Sequence, residues 1–485
     1  MAMKVLFVSS EVFPLIKTGG LADVSGSLPS ALQGLGVDIR ILIPGYPAVL
    51  ESLNSLKTLA RIDNLPHIGH AELQFGTIED TQVKVLVIKA PDIYERDGGP
   101  YSDKLGLEWQ DNPIRFGVLS KVASILASNH SPIDDWHPDI VHCNDWQTGL
   151  TPAYMKLTEH AQAKSIISLH NMAFQGCYPP HWVTSLGLPS TGFSIEGFEY
   201  HGQLSFLKAG IFYADGISTV SPRYAQEIQT TAFGFGLEGL LSKRGDEIKG
   251  ILNGIETDEW NPETDQYLIK NYSASKLAGK KQVKKALQQK LGLDIDASAP
   301  LLGVVSRLTH QKGLDMLLPH LQSLIDQGCQ FALLGGGETE LELAFLEIAS
   351  KNQSRVSTTI GYNEPLSHQI MAGSDMFIMP SRFEPCGLNQ LYGLAYGTPP
   401  VVNSTGGLAD SIIDANTAHL ANNTANGFVM VEASADGLIA SIYRALDMFI
   451  NAPKTWKQLQ KNGMSQNLSW DKSATEYLAL YQSLI

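Results

Sequence analysis

The hexapeptide TGGLAD stands at Thr18–Asp23 and returns unchanged at Thr405–Asp410. The first copy lies in EVFPLIKTGGLADVSGSLPSAL and the second in PPVVNSTGGLADSIIDAN. Each follows an apolar run and precedes an amphipathic one, the layout of a strand, a glycine turn and a helix N-terminus. Glycine pairs let the backbone turn tightly and admit a ligand where a Cβ would stand. The amides that follow open a helix, whose dipole favours an anion. Lys17 adds a full positive charge to the first copy. Gly19, Gly20 and Lys17 together suit a diphosphate, although a glycine turn alone is also an ordinary strand–helix connection. No GxGxxG is present, so a dinucleotide fingerprint is not supported.

Outward from the first copy, MKVLFVSSE reads as a buried strand, LADVSGSLPSALQGLG as a helix closing at Gly36, and VDIRILIPGY as the next strand. QVKVLVIKAP, PDIVHCNDW, KSIISLHNM and GISTVSP continue the series, while EDTQ and ERDGGPYSDKLGLEW read as loops with a possible hairpin. Around the second copy, APLLGVVSRL, QFALLGGG, VSTTIGY, DMFIMPSR and PPVVNSTGG are short apolar strands separated by helical stretches. Such alternation predicts parallel βαβ units. The fold class is α/β, with two Rossmann-like, doubly wound parallel-sheet domains at 1–250 and 251–455. A helical segment at 456–485 is expected to pack back on the first. Ligands in open α/β sheets bind outside the C-terminal strand edges, so two such domains facing each other would line one cleft. The basic stretch KNYSASKLAGKKQVKKALQQKLGLD is expected to be a helix with a solvated lysine face.

The chain has 485 residues, enough for two or three domains. It is 44% hydrophobic and 17% charged, which suits a globular enzyme. A net charge of −14 argues against nucleic acid or an anionic membrane as a general partner. Four isolated cysteines, with no CxxC, point to a reducing compartment. The start is too short in apolar residues for a signal peptide, and no run approaches the ~20 a membrane helix needs. A cytoplasmic location is expected.

Several strand ends carry chemistry. In SRLTHQKGLDML, Arg307 and Lys312 would neutralise charge on a leaving diphosphate. Lys312, placed near the first turn of a helix, opposes its dipole, which favours function over structure. Glu384, in SRFEPCGLNQ, stands before a helix. It suits either N-capping or bonds from sugar hydroxyls. Gly335–Gly337 suits phosphate contact or a plain turn. His142, Asn144 and Asp145 in VHCNDW, with His170 and Asn171 in SLHNM, end adjacent strands, where a structural and a functional reading are both open. They lack metal-ligand spacing, so no metal site is expected.

KVLFVSSEVFPLIKTGGLADV, the YxRxGGPY pattern from Tyr94 to Tyr101, HNMAFQG, FLKAGIFYAD, GILNGIETDEWNP, SRLTHQKGLDML, IMPSRFEPCGLNQLYGLAYGT and STGGLAD together resemble bacterial glycogen synthases and plant starch synthases. The resemblance runs along nearly the whole chain. It implies a B-type glycosyltransferase fold and transfer of glucose from ADP-glucose to the non-reducing 4-OH of an α-1,4-glucan such as glycogen. Configuration would be retained, and no cofactor or metal is implied. On that resemblance, Lys17 with Gly19 and Gly20 would approach the donor diphosphate, and Arg307 and Lys312 would grip it. Asp23 and Asp145 match substrate-binding positions. His170 and Asn253 match residues that bind the transferred glucose. Glu384 matches the carboxylate on its hydroxyls, with Cys386 and Gly387 offering amides. Tyr362 matches the ring on adenine, and Thr405, Gly406 and Gly407 would meet phosphate from the other side.

The chain departs from the family pattern at three places. Asn144 replaces the second histidine of HxHDW, Gln147 stands where some members have histidine, and Asn403–Ser404 stand where a basic residue is common. Eight positions beyond Glu384, where many related retaining transferases have a second glutamate, this chain has Tyr392. A glycosidase-like pair of carboxylates ~5–5.5 Å apart is therefore not expected. The alternatives are a UDP-glucose donor, another acceptor, or a non-catalytic two-domain sugar-binding protein.

Overall fold

A computed structural model of the chain describes residues 2–53 and 55–485. The chain forms two compact units, Met1–Asn253 with Trp470–Ile485, and Gly254–Ser469. The return to the first unit thus falls later than position 456. Helix Pro453–Met464 stays with the second unit because Trp456 and Leu459 are buried in that unit's core, Trp456 stacking on Phe428. Helix Trp470–Gln482 belongs to the first unit, where the hydroxyl of Tyr481 lies 2.6 Å from Nδ1 of buried His142.

The strands of the first unit are β1 (Lys4–Val8), β2 (Asp38–Pro44), β3 (Lys57–Leu65), β4 (Gly69–Thr77), β5 (Lys84–Lys89), β6 (Ile140–Asn144) and β7 (Lys164–Leu169). β8 (Cys177–Tyr178), β9 (Glu199–Tyr200) and β10 (Gln203–Ser205) form a small antiparallel sheet, and β11 (Gly216–Thr219) and β12 (Ile248–Gly250) rejoin the large one. The large sheet runs β12-β11-β7-β6-β1-β2-β5-β4-β3. It is parallel from β12 to β5, and β4 pairs antiparallel with both β5 and β3. Its direction of growth reverses between β1 and β6, so a ligand crevice is expected beyond Val8 and Asn144. The β3–β4 hairpin is absent from the sequence reading. Most side chains of KTLARIDNL are exposed, including Lys57, Arg61 and Asp63. Charges along an edge strand protect it from further pairing and blur the apolar pattern by which a strand is recognised.

The second unit holds β13 (Leu301–Val305), β14 (Gln330–Gly335), β15 (Val356–Ile360), β16 (Met376–Met379), β17 (Pro400–Val402) and β18 (Phe428–Val429). Its sheet is parallel, in the order β15-β14-β13-β16-β17-β18. Numbered within the unit this is 3-2-1-4-5-6, the Rossmann order. QFALLG is buried at every position, as expected of a strand covered on both faces. The switch point lies between β13 and β16.

The lysine-rich helix spans Ala278–Leu291, but its lysines are not all solvated. Lys280 and Lys284, one turn apart on the inner face, are 7% and 5% exposed. Lys280 Nζ donates to Ala372 O at 2.7 Å and Thr398 Oγ1 at 2.6 Å, and burial pushes its ammonium down to about 7. Lys284 Nζ donates to Asp375 at 2.6 Å and Ala299 O at 2.7 Å. Each buried charge is admitted because oxygen acceptors replace its water. Among the described residues, no helix is long and apolar enough to cross a membrane.

Candidate active site

The loops leaving β13 and β16 meet at the switch point of the second unit. The 3₁₀ turn His310–Lys312 ends in Gly313, where φ is +69° and a Cβ would stand 2.4 Å from Pro380 O. That close approach brings Lys312 Nζ to 2.5 Å from Oε2 of Glu384. The same oxygen accepts from Ser381 Oγ at 2.9 Å. The Lys312 and Glu384 side chains are 15% and 8% exposed. Arg382 binds Asp315 through both terminal nitrogens at 2.7 Å, holding that carboxyl below the usual range and tying the two loops together. The α-helix begins only at Leu318, so the expected conflict between Lys312 and a helix dipole does not arise. Glu384 and not a peptide terminus sets the surroundings of that ammonium.

Arg307 is exposed, and its guanidinium has no partner among the described residues. Its loop is pinned from below. Ser306 N donates to Leu334 O, Leu308 N to Gly336 O, and Glu338 N to Leu308 O. A Cβ on Gly335 would stand 1.8 Å from Ser306 O, and one on Gly337 2.3 Å from Leu308 O. Gly335 and Gly337 therefore permit close passage of the Arg307 loop. Tyr362 lies just past β15, after Gly361 at φ +107°, and is 79% exposed.

The two TGGLAD copies do different work. At the second, Gly406 has φ +42°, and Cβ atoms on Gly406 and Gly407 would stand 2.0 Å from the carbonyl oxygens of Glu384 and Cys386. Gly407 N–H donates to Glu384 O and Pro385 O, both at 3.1 Å. Gly406 and Gly407 thus seat the Glu384–Cys386 backbone, and Thr405 is 2% exposed. Gly387, at φ +74°, sits above Gln390, whose Nε2 donates to Cys386 O and Gly387 O. Asn403, at a departure from the family pattern, joins this support. Its Nδ2 donates to Ser381 O at 3.0 Å. At the first copy the glycines are exposed, and nothing lies within 4 Å of where a Cβ would stand on Gly19 or Gly20. Packing inside the protein does not explain them. Helix Gly20–Gly34 follows directly, and Lys17 Nζ lies 2.7 Å from Asp23 Oδ1.

The polar ends of β1, β6 and β7 gather at the other switch point. Asn144 Nδ2 donates to Val8 O at 3.0 Å, which turns Oδ1 toward His170 Nε2, also at 3.0 Å. Asn144 thus holds the imidazole in one tautomer, with the proton on Nε2. Burial pushes His170 down to about 4, so it is neutral at pH 7. Asp145, at φ +59°, is 6% exposed, and burial raises it to about 7. His142 is taken up by Ser168 and Tyr481, both at 2.6 Å, a structural role. Asn253 follows β12. Its Oδ1 is buried without a hydrogen-bond partner among the described residues, as is Oε1 of Gln147. Buried acceptors left open in this way await a donor. Glu11 and Tyr101 carry no role in the sequence reading, yet Tyr101 donates to Glu11, and Glu11 accepts from the first glycine turn. The glycine motif and the YxRxGGPY pattern, read separately, hold both partners.

Among the described residues, Glu259, Glu364 and His368 form one group close enough to share a cation. Both nitrogens of His368 already face carboxylates, Asp265 at 2.9 Å and Glu364 at 3.3 Å. These raise it to about 9 despite burial. Its ring stacks 3.8 Å from Trp260. A protonated imidazole has no lone pair for a metal.

Two units on largely parallel sheets, the second in Rossmann order with a Lys–Glu couple at its switch point, are the layout of a glycosyltransferase of the B type. The model of the starch synthase catalytic domain matches residues 4–243, and that of glycosyl transferases group 1 matches residues 284–465. The chain is 51% identical to a glycogen synthase of Nitrosomonas eutropha, over 100% of this chain and 96% of that one. It is 50% identical to a glycogen synthase of Nitrosospira multiformis, over 100% and 97%. Among solved structures, the catalytic domain of starch synthase IV from Arabidopsis thaliana, bound to ADP and acarbose, superposes with a TM-score of 0.89 at 32% identity, covering 100% of this chain and 99% of that one. Sucrose-phosphate synthase from Thermosynechococcus elongatus shares the fold, with a TM-score of 0.60 at 16% identity over 99% of each chain. The chain belongs to the glycogen and starch synthase family of glycosyltransferases. That membership sets aside the non-catalytic sugar-binding alternative.

Proposed function

We propose that the chain transfers glucose from ADP-glucose to the non-reducing 4-OH of an α-1,4-glucan, with retention at the anomeric carbon. The observation that carries this reading is the half-buried Lys312–Glu384 couple, with exposed Arg307 on the same loop after β13. Diphosphate is a good leaving group, so the protein's task is to neutralise charge as it departs and to hold the reactants. Arg307 and Lys312 supply that charge. Glu384 serves two ends, fixing Lys312 and accepting bonds from glucose hydroxyls. Tyr362 stacks on adenine; in the first unit, Asn253 Oδ1 and neutral His170 offer an acceptor and a donor to sugar hydroxyls, and Lys17 offers a cation to phosphate.

With Tyr392 where a second acid would stand, attack and departure take place on one face of the sugar, and the leaving phosphate oxygen takes the acceptor's proton. Fixed cations do the work that a metal does elsewhere, and no cofactor takes part. A starch synthase relative solved with ADP and acarbose supports an adenine nucleotide as donor carrier. Incorporation of labelled glucose into glycogen, in buffer containing a chelator, tests the reading. ADP-glucose should be used about tenfold or more faster than UDP-glucose, a margin that a few specific contacts can supply. A preference for UDP-glucose, or dependence on added metal, would overturn the corresponding part.

A further inference from the structure

The first two amides of the first TGGLAD copy are already engaged. Thr18 N–H and Gly19 N–H both donate to Oε2 of Glu11, the latter at 3.1 Å. The other carboxylate oxygen accepts from the Tyr101 hydroxyl, which lies 2.9 Å from Ser10 Oγ. Glu11 is 3% exposed, and burial raises its carboxyl above the usual range. A carboxylate withdrawn from water persists when such donors replace its hydration. Glu11 thus stands as an internal anion under the turn that carries Lys17.

We propose that Glu11 is a positioning residue, holding the Lys17–Gly20 loop in one conformation and so fixing where Lys17 stands. The inference rests on the role of Lys17 given above. Nothing lies within 4 Å of where a Cβ would stand on Gly19 or Gly20, so packing around that position does not fix the glycine pair. Other anchors of the stretch include the Val12–Ile16 main-chain pair, the bonds from Ala22 N to Gly19 O and from Phe13 N to Ala22 O, the Lys17–Asp23 pair and the Lys17 ammonium 5.3 Å from the Phe13 ring. None of these holds the amides of Thr18 and Gly19, which among the described residues donate to the Glu11 carboxylate. Without it, the amides of Thr18 and Gly19 lose their acceptor, the loop opens more often, and Lys17 spends more of its time away from its working place.

The test combines a double-mutant cycle with amide exchange. Glu11→Met keeps the length of the side chain and removes both acceptors. It should speed hydrogen exchange at Thr18 and Gly19 by about tenfold or more, since exchange reports local opening. It should also lower turnover by about tenfold, with donor KM changed less than threefold. Because Glu11 acts through Lys17, adding Glu11→Met to Lys17→Ala should lower turnover no further, whereas independent roles would multiply. Glu11→Gln, which keeps an acceptor toward the amides, should restore most of the turnover. If Glu11→Met does not yield folded protein, Glu11→Ala, which also removes both acceptors, carries the same comparison. Unchanged exchange, or effects that multiply, would overturn the proposal. A fully active Lys17→Ala would instead remove the role of Lys17, while the exchange measurement would still report whether Glu11 holds the loop.

Discussion

Lys312→Ala is expected to lower turnover by about 10²-fold or more, roughly 3 kcal/mol of transition-state stabilisation. The size follows from where the ammonium sits. Lys312 is held at 2.5 Å from Glu384 in a site where its side chain is 15% exposed. A cation already in place costs nothing to reorganise as charge develops on the leaving diphosphate, and partial exclusion of water strengthens its field. Donor KM should rise much less than turnover falls, because the interaction tightens as the sugar–phosphate bond breaks. The variant also leaves Glu384 without its counter-charge, which destabilises the fold locally. Thermal unfolding should therefore accompany the kinetics, to separate loss of fold from loss of chemistry. Near-normal turnover in a folded Lys312→Ala protein would refute the role.

Glu384→Gln should cost a similar factor, about 10²–10³-fold in turnover. The amide preserves shape, and its oxygen still accepts from Ser381. It removes the negative charge that fixes Lys312 and the anionic acceptor for glucose hydroxyls, both of which charge makes about twice as strong. The backbone beneath should not move, since Gly406 and Gly407 seat Glu384–Cys386 through main-chain contacts that the substitution leaves alone. A drop confined to kcat would point to charge stabilisation, and a rise in donor KM to lost sugar binding. A glucosyl-Glu384 adduct trapped and identified by mass spectrometry would contradict transfer on one face and make Glu384 the nucleophile.

Much of the architecture could be read from local patterns. Short apolar runs such as VVSRL and FIMPSR, ending in charge, mark parallel strands whose C-terminal edges carry polar loops. The two loops that meet at the second unit's switch point, around Lys312 and Glu384, were legible in this way. Contacts that depend on register or on long-range burial were not. Lys280 and Lys284 read as solvated because nothing nearby in sequence shows the carbonyls of Ala372 and Ala299 or the carboxylate of Asp375 that receive them. Glu11 and Tyr101 are 90 positions apart and bond only once β1 is placed. The identical hexapeptides have different roles because only the second copy's glycines lie against another backbone, a difference that six residues cannot encode. Asn144 and Asn403, which depart from the family pattern, prove to be well-bonded supports for His170 and Ser381.

A crystal structure of the chain with ADP would test the donor site itself. The account predicts the diphosphate within hydrogen-bonding distance of both the Arg307 guanidinium and Lys312 Nζ, with adenine against Tyr362. A diphosphate bound with neither cation in contact would contradict it.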